Sequence, residues 1–276
     1  MLRFPFKSPR SLLFLIAVFP FLVGFDTPDS AGTYLGLGGG HGTYHLVGCK
    51  GKFDSDFWEG QMSVKHRFAS DSASSGSFWS RMKPGHNTVG TFVDALAENV
   101  TVLAVNKDTN GVPFFPDSVG STFEKRGFAG GLYWTGDWRW VGLTVGWCGL
   151  YRSSQIPDLD VQNFAQPILG LRFGNYDRFY GSLEAYSSSP TLVGGGVVNV
   201  GLGGKWRSTR LWVGTGRYPG KQKDQKDLGV LKLSQGMGPF TLSLVAQGSG
   251  QDVPPANLGI DHEGGLSLSL QYRLPD

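Results

Sequence analysis

The chain has 276 residues and a formal net charge of +3, with 42 glycines, 40% hydrophobic and 17% charged residues. Ordinary globular chains run at ~45–50% apolar and ~25% charged, with glycine near ~7%, so this sequence falls short of both an ordinary core and an ordinary solvated surface. The glycines follow no period of three, which excludes collagen, and a charge of +3 gives no argument for nucleic acid.

In chain order, residues 1–31 read as an export signal. Arg3, Lys7 and Arg10 form a basic start, and Leu12 to Phe25 is an apolar run broken at Pro20. That run is shorter than the roughly 20 residues a spanning helix needs and suits a signal core. The stretch Leu22-Val23-Gly24 and the step after Ala31 are candidate cleavage sites. Cys49 does not follow the apolar run closely, so a lipid-modified N-terminus is not indicated.

Residues 32–276 alternate with period two, which marks strands. Strands are expected near 33–43, 58–68, 91–105, 127–134, 138–150, 168–174, 178–186, 197–206, 210–218, 227–234, 240–247 and 264–274. In the fifth, Val141, Leu143, Val145 and Trp147 share one face while Gly142, Thr144, Gly146 and Cys148 share the other. In the last, Leu266, Leu268, Leu270 and Tyr272 oppose Ser267, Ser269, Gln271 and Arg273. Twelve strands is the count, with ten to fourteen open because Ala69–Thr91 could hold a further hairpin.

The connections sort by length. Tight turns are expected at Thr135–Asp137, Asn175–Asp177, Arg207–Thr209 and Gln235–Pro239, built from the residues that favour hairpin turns. Long connections are expected at 152–166, 187–196, 219–226 and 248–263. Short and long alternate, so an up-and-down sheet would gather the short turns at one end. Aromatic residues cluster beside those turns: Trp134, Trp138, Trp140, Phe173, Phe179, Trp206 and Phe240, with Tyr176, Tyr180 and Trp212 nearby. Such rings favour a membrane–water interface, and we expect a girdle there. Tyr151, Tyr186 and Tyr218 would mark a second. Glycine on the inward face suits a small barrel with little room.

These features resemble bacterial outer-membrane β-barrel proteins, at the level of architecture and over residues 32–276. The carriers are the signal, "YLGLGGGHGTY" as a first strand, "GLRFGNYDRFYGSLEAY" as a hairpin and "LSLSLQYRLPD" as a closing strand. The resemblance implies an all-β, antiparallel, up-and-down transmembrane β-barrel in the bacterial outer membrane, reached by signal-peptide export. It implies contact with the lipid bilayer and lipopolysaccharide, and insertion by the outer-membrane assembly machinery. Barrels of this class usually end on an aromatic residue that this machinery reads. Here Tyr272 is followed by Arg-Leu-Pro-Asp, a departure from the pattern.

Chemical motifs are weak. Gly214–Lys221 misses phosphate-loop spacing and Gly36–His41 lacks the third glycine of a dinucleotide fingerprint. His41, His45, His66, His86 and His262 do not pair at ligand spacings, and Asp158 with Asp160 is poor evidence for calcium. No metal and no cofactor are expected. Asp261-His262-Glu263 supplies a histidine near the outer rim, but no serine stands out as the partner a lipid-acting barrel enzyme would need. Cys49 and Cys148 are both placed near the outer rim, where export would favour a disulfide; two separate thiols are the other option. Lys65, Arg67, Arg172, Glu184 and Lys205 are expected to line the lumen, as a paired network closing it or as a small polar channel.

The expected function is a non-enzymatic outer-membrane barrel that is a narrow pore for small polar solutes or a structural or surface protein. The alternatives are a barrel enzyme acting on lipid and a secreted soluble β-protein with its leucine faces inward.

Overall fold

A computed structural model describes residues 30–48, 51–68, 85–107, 109–113, 118–138, 140–154, 164–185, 198–217, 228–248 and 259–275. The signal segment lies outside them. Twelve strands follow in chain order: β1 (Gly32–Gly48), β2 (Gly51–Phe68), β3 (His86–Val105), β4 (Thr122–Asp137), β5 (Val141–Ser154), β6 (Phe164–Asn175), β7 (Phe179–Ala185), β8 (Val198–Trp206), β9 (Thr209–Arg217), β10 (Leu228–Met237), β11 (Phe240–Gly248) and β12 (Gly259–Arg273). Each pairs antiparallel with its sequence neighbour, and β1 pairs with β12, so the sheet is a closed barrel.

The registers define its shape. Stepping across hydrogen-bonded partners from Val141 on β5, the circuit passes Leu202, His41 and Arg126 and returns to β5 at Ser153, twelve residues higher. Strand number and shear are therefore equal, the ratio that tilts strands by about 36° in an eight-stranded barrel of shear eight. Both ends of the sheet meet at the short-turn rim, where the Leu274 amide donates to the Thr33 carbonyl at 2.8 Å.

Apolar residues point out. Leu268 is 38% exposed and its neighbour Ser269 5%; Val145 and Trp147 face out while Cys148 is buried within. On β2, Trp58, Met62, Val64 and Phe68 are exposed. From Trp58 to Phe68 is ten residues, a rise of about 27 Å at ~3.3 Å per residue and the tilt above, close to the ~25 Å apolar band of membrane barrels. Beyond Trp58 the outer face turns polar. The His41 Nε2 lies 2.9 Å from Asp56 Oδ1, His45 pairs with Asp54, and Arg126 pairs with Glu124 at 2.8 Å.

The inward glycines receive aromatic rings laid flat against the wall. A Cβ on Gly203 would lie 2.4 Å from the Tyr180 ring; one on Gly90 would lie 2.4 Å from Tyr133; and ones on Gly201 and Gly214 would lie 2.4 and 2.3 Å from Trp212. Each ring covers bare backbone that the glycines leave open.

Several sequence expectations shift. The region expected to be a long first loop between 43 and 58 is instead strand through Gly48 and again from Gly51: β1 has 17 residues, β2 18 and β3 20. Inward Phe53, Ser55 and Phe57 alternate there with outward Lys52, Asp54 and Asp56, and Phe53 packs with Val100 and Val102. Thr135–Asp137 is not a turn but the end of β4, fastened by a 2.9 Å hydroxyl contact between Thr135 and Thr144 and by the Asp137–Arg172 ion pair; the chain reverses at 138–140. Part of Ala69–Thr91 belongs to β3, and residues 69–84 lie outside the described residues.

Two outcomes follow. Leu268→Arg should cost ~2–4 kcal/mol in folding into lipid vesicles, as for a cation near the midplane of the lipid face, measured by denaturant titration of bilayer-inserted protein. Gly203→Val should reduce the folded fraction seen as heat-modifiable gel migration, because the new side chain meets Tyr180, whereas Gly60→Val should not, since nothing lies within 4 Å of a Cβ at Gly60.

Candidate functional site

The inward face carries charge in two zones. Glu59, Asp94 and Glu98 project from β2 and β3 in the outer half, where Glu98 accepts a 2.7 Å hydrogen bond from Ser55 and faces Lys125 at 3.6 Å. The half nearer the short turns is mainly basic. Arg172 from β6, Arg210 from β9, Lys232 from β10 and Lys65 from β2 surround a chamber of about 260 Å³ that also meets Asp137 and Glu184.

Alternation along each strand aims these groups. On β10, Val230, Lys232 and Ser234 face in between leucines. On β9, Arg210 and Trp212 are buried while Leu211 and Val213 are exposed. Arg172 forms an ion pair with Asp137, and Lys232 with Glu184. The Trp212 Nε1 donates to Ser182 Oγ at 2.8 Å, and Lys232 Nζ stands 4.7 Å from the Trp212 ring centroid. Apolar wall between the charges comes from Phe92, Tyr133, Ile168, Tyr180 and Trp212.

At the short-turn end the β6–β7 turn, residues 176–178, folds over the chamber. The Tyr176 ring lies between two guanidinium groups, with the Arg172 Cζ at 3.8 Å from its centroid and the Arg210 Cζ at 3.7 Å. Its neighbour Asp177 approaches Lys205 at 3.5 Å and Arg210 at 4.0 Å. The Asp177 amide donates to Asn175 Oδ1 at 2.9 Å, which holds the turn. A cation stacked on each face of one ring is favourable because the ring's quadrupole is negative on both faces.

The structure brings together Lys65, Arg172 and Glu184 around this chamber. Arg67 is buried on the same inward face of β2, nearer the end of that strand, and Lys205 sits at the short-turn rim beside Asp177. Sequence reasoning did not place Asp137, Arg210 or Lys232. Asp137 was assigned to a turn; Lys232 carried a legible signal, a lysine flanked by Leu231 and Leu233 in an alternating strand.

The aromatic residues divide. Trp140, Phe173, Phe179, Trp206 and Phe240 are exposed on the outer face beside the short turns, Trp206 at 73%. Trp134 lies on the same face further from the rim, and Trp138 sits in the β4–β5 turn, its amide donating to the Val141 carbonyl. Tyr180 and Trp212 are buried inside instead. The reason is parity: Tyr180 follows outward Phe179, and Trp212 follows outward Leu211. Of the second set only Tyr151 falls within the described residues, where it is exposed. Cys148 is not at the outer rim but buried on the inward face of β5, its thiol donating to the Gly149 carbonyl at 3.6 Å. Cys49 lies outside the described residues, as do the side chains of Asp261, His262 and Glu263. Among the described residues no group of three or more metal-ligating side chains converges.

Asp137→Asn should destabilise the inserted barrel by about 3 kcal/mol, because it removes the carboxylate paired with the largely buried Arg172 guanidinium. Adding Arg172→Gln should recover part of that loss. A double-mutant cycle by urea titration in vesicles reads the coupling.

No family model matches the chain, and no curated protein matches it in sequence. Solved structures match its fold. The transport unit of the autotransporter AIDA-I from Escherichia coli matches with a TM-score of 0.50 at 10% identity, over 99% of this chain and 100% of that one. The translocator domain of autotransporter NalP from Neisseria meningitidis matches at 0.47 and 9% identity, over 96% and 95%. The β domain of the Bordetella autotransporter BrkA matches at 0.41 and 12% identity, over 89% and 100%. With its closed antiparallel circuit of twelve strands, the chain has the fold of the bacterial outer-membrane β-barrels.

Proposed function

We propose that the protein is a narrow pore of the bacterial outer membrane, reached by signal-peptide export and embedded in the lipid bilayer beneath lipopolysaccharide, that admits small anionic or polar solutes. The observation that carries this reading is the chamber of about 260 Å³ inside the barrel, met by four basic side chains and two acidic ones. A lumen with that balance lowers the entry cost of anions. The likeness to an autotransporter's transport unit is one of fold at 10% identity and does not carry that protein's work to this chain.

A second reading has its own support. The Arg172–Asp137 and Lys232–Glu184 pairs and the inserted Tyr176 ring are what a barrel closed by its own side chains would contain, and such a barrel would serve a structural or surface role.

Planar bilayers separate the two. The purified protein should give small unitary currents with anion preference. Tyr176→Ala should raise the conductance, because the ring over the chamber is gone, and Lys232→Glu should weaken the anion preference. Correctly folded protein that passes no current, with or without Tyr176, would leave the structural reading in place of the pore.

A further inference from the structure

We propose that the chamber binds one neutral, polyhydroxylated ring of the size and chemistry of a hexose. This deepens the polar-solute side of the pore reading and rests on it for the ligand's route in. The volume, about 260 Å³, stands just below the ~300 Å³ at which ligand pockets begin, and so suits a single small ring.

The charges select a neutral ligand. Arg172 is paired with Asp137, and Lys232 with Glu184. Arg210 is engaged by the Tyr176 ring and approaches Asp177 at 4.0 Å, and Lys65 has contacts of its own. An anion entering here would repel Asp137 and Glu184, and a cation would repel the bases paired with them. A hydroxyl can hydrogen-bond a matched pair without separating it. An ammonium has three donors and a carboxylate about four acceptor sites, so one ion pair leaves capacity on both partners.

The Glu184–Lys232 pair is placed to use that capacity. Both groups line the chamber, with side chains 31% and 16% exposed. A network fixes them: Trp212 Nε1 donates to Ser182 Oγ at 2.8 Å, Ser182 Oγ donates to Glu184 Oε1 at 3.4 Å, and Lys232 Nζ donates to Glu184 Oε2. A donor and an acceptor thus stand side by side. Two neighbouring ring hydroxyls meet that arrangement, since each hydroxyl both donates and accepts, and bonds to ionised groups are stronger than neutral ones. Further hydroxyls line the chamber at Ser63, Thr135, Thr144 and Ser234.

The aromatic residues select a cyclic body. Tyr133 and Tyr180 lie against Gly90 and Gly203, so one face of each meets the wall and the other meets the chamber that they line. An aromatic face is negative and attracts the slightly positive C–H groups that a hexose ring presents. An open-chain polyol carries the same hydroxyls but must freeze its rotors to present them.

The probe is labelled glucose, with sorbitol as its hydroxyls without the ring and glucuronate as the ring with a charge. Equilibrium dialysis against the full, folded protein, in a detergent without a sugar head, should show saturable glucose binding at one site per chain. Sorbitol and glucuronate should bind about tenfold or more weakly, from lost preorganisation and from charge repulsion. Glu184→Gln should weaken glucose about tenfold, the loss expected for one hydrogen bond to a charged group. If that variant does not fold, Glu184→Gln combined with Lys232→Gln, which removes both charges of the pair, serves in its place. Removal of the Glu184 charge should also improve glucuronate relative to glucose, a change of preference that damage to the fold would not produce. Sorbitol or glucuronate binding to the unaltered protein as tightly as glucose, or glucose binding unmoved by the Glu184 variants, would overturn the site. Glucose binding to a barrel that is silent in planar bilayers would keep the site and remove the pore; currents without glucose binding would do the opposite.

Discussion

Inside a bilayer there is no water to satisfy backbone N–H and C=O groups, and each one left open costs several kcal/mol. A sheet can meet that demand only by closing. Here the closing seam is β1 against β12, where Tyr34 pairs with Arg273 and the ladder runs through to Val47 and Gly259. Closure with equal strand number and shear then sets the tilt and width, and the width leaves an interior too large for small side chains alone to fill.

Glycines and aromatic rings resolve that mismatch together. The inward positions of β1 are glycine at 36, 38, 40 and 42, and a Cβ at Gly42 would collide with the Phe57 ring from β2. The same complementarity recurs at Tyr133, Tyr180 and Trp212. Rings that stand flat against the wall cover exposed backbone and leave the axis to polar groups. The chamber exists because these rings lie along the wall, and it carries charge because β6, β9 and β10 each place one long cationic side chain on the inward face, Arg172, Arg210 and Lys232.

The two rims are unlike. At the short-turn end, tight connections hold the strands level and bring Tyr176, Asp177 and Lys205 into one network. At the far end, β1 to β3, the longest strands, carry an inner face packed by Phe53, Val100 and Val102 and an outer face of histidine–aspartate pairs. A polar outer face at that height fits an environment beyond the apolar band, while the packed inner face stiffens the projecting wall.

Period-two alternation by itself determined that the chain is built of strands and that Lys65, Arg67, Arg172, Glu184 and Lys205 lie on the face opposite their apolar neighbours, because side-chain direction along a strand is a local property of the pleat; the sorting of short and long connections pointed to the barrel, with about twelve strands. Where that parity was set aside, the reading failed: Tyr180 and Trp212 were grouped with outward rings by nearness to turns, and Thr135–Asp137 was taken for a turn on composition although it continues the alternation of Tyr133. Local pattern could not supply which strands face each other across the lumen, how high each residue sits once the sheet is sheared, or which acid meets which base. The pairing of Asp137 with Arg172 joins residues 35 apart in sequence, and that of Glu184 with Lys232 joins residues 48 apart. Those meetings, and the chamber they frame, depend on closure of the whole circuit, and only the tertiary structure decided them.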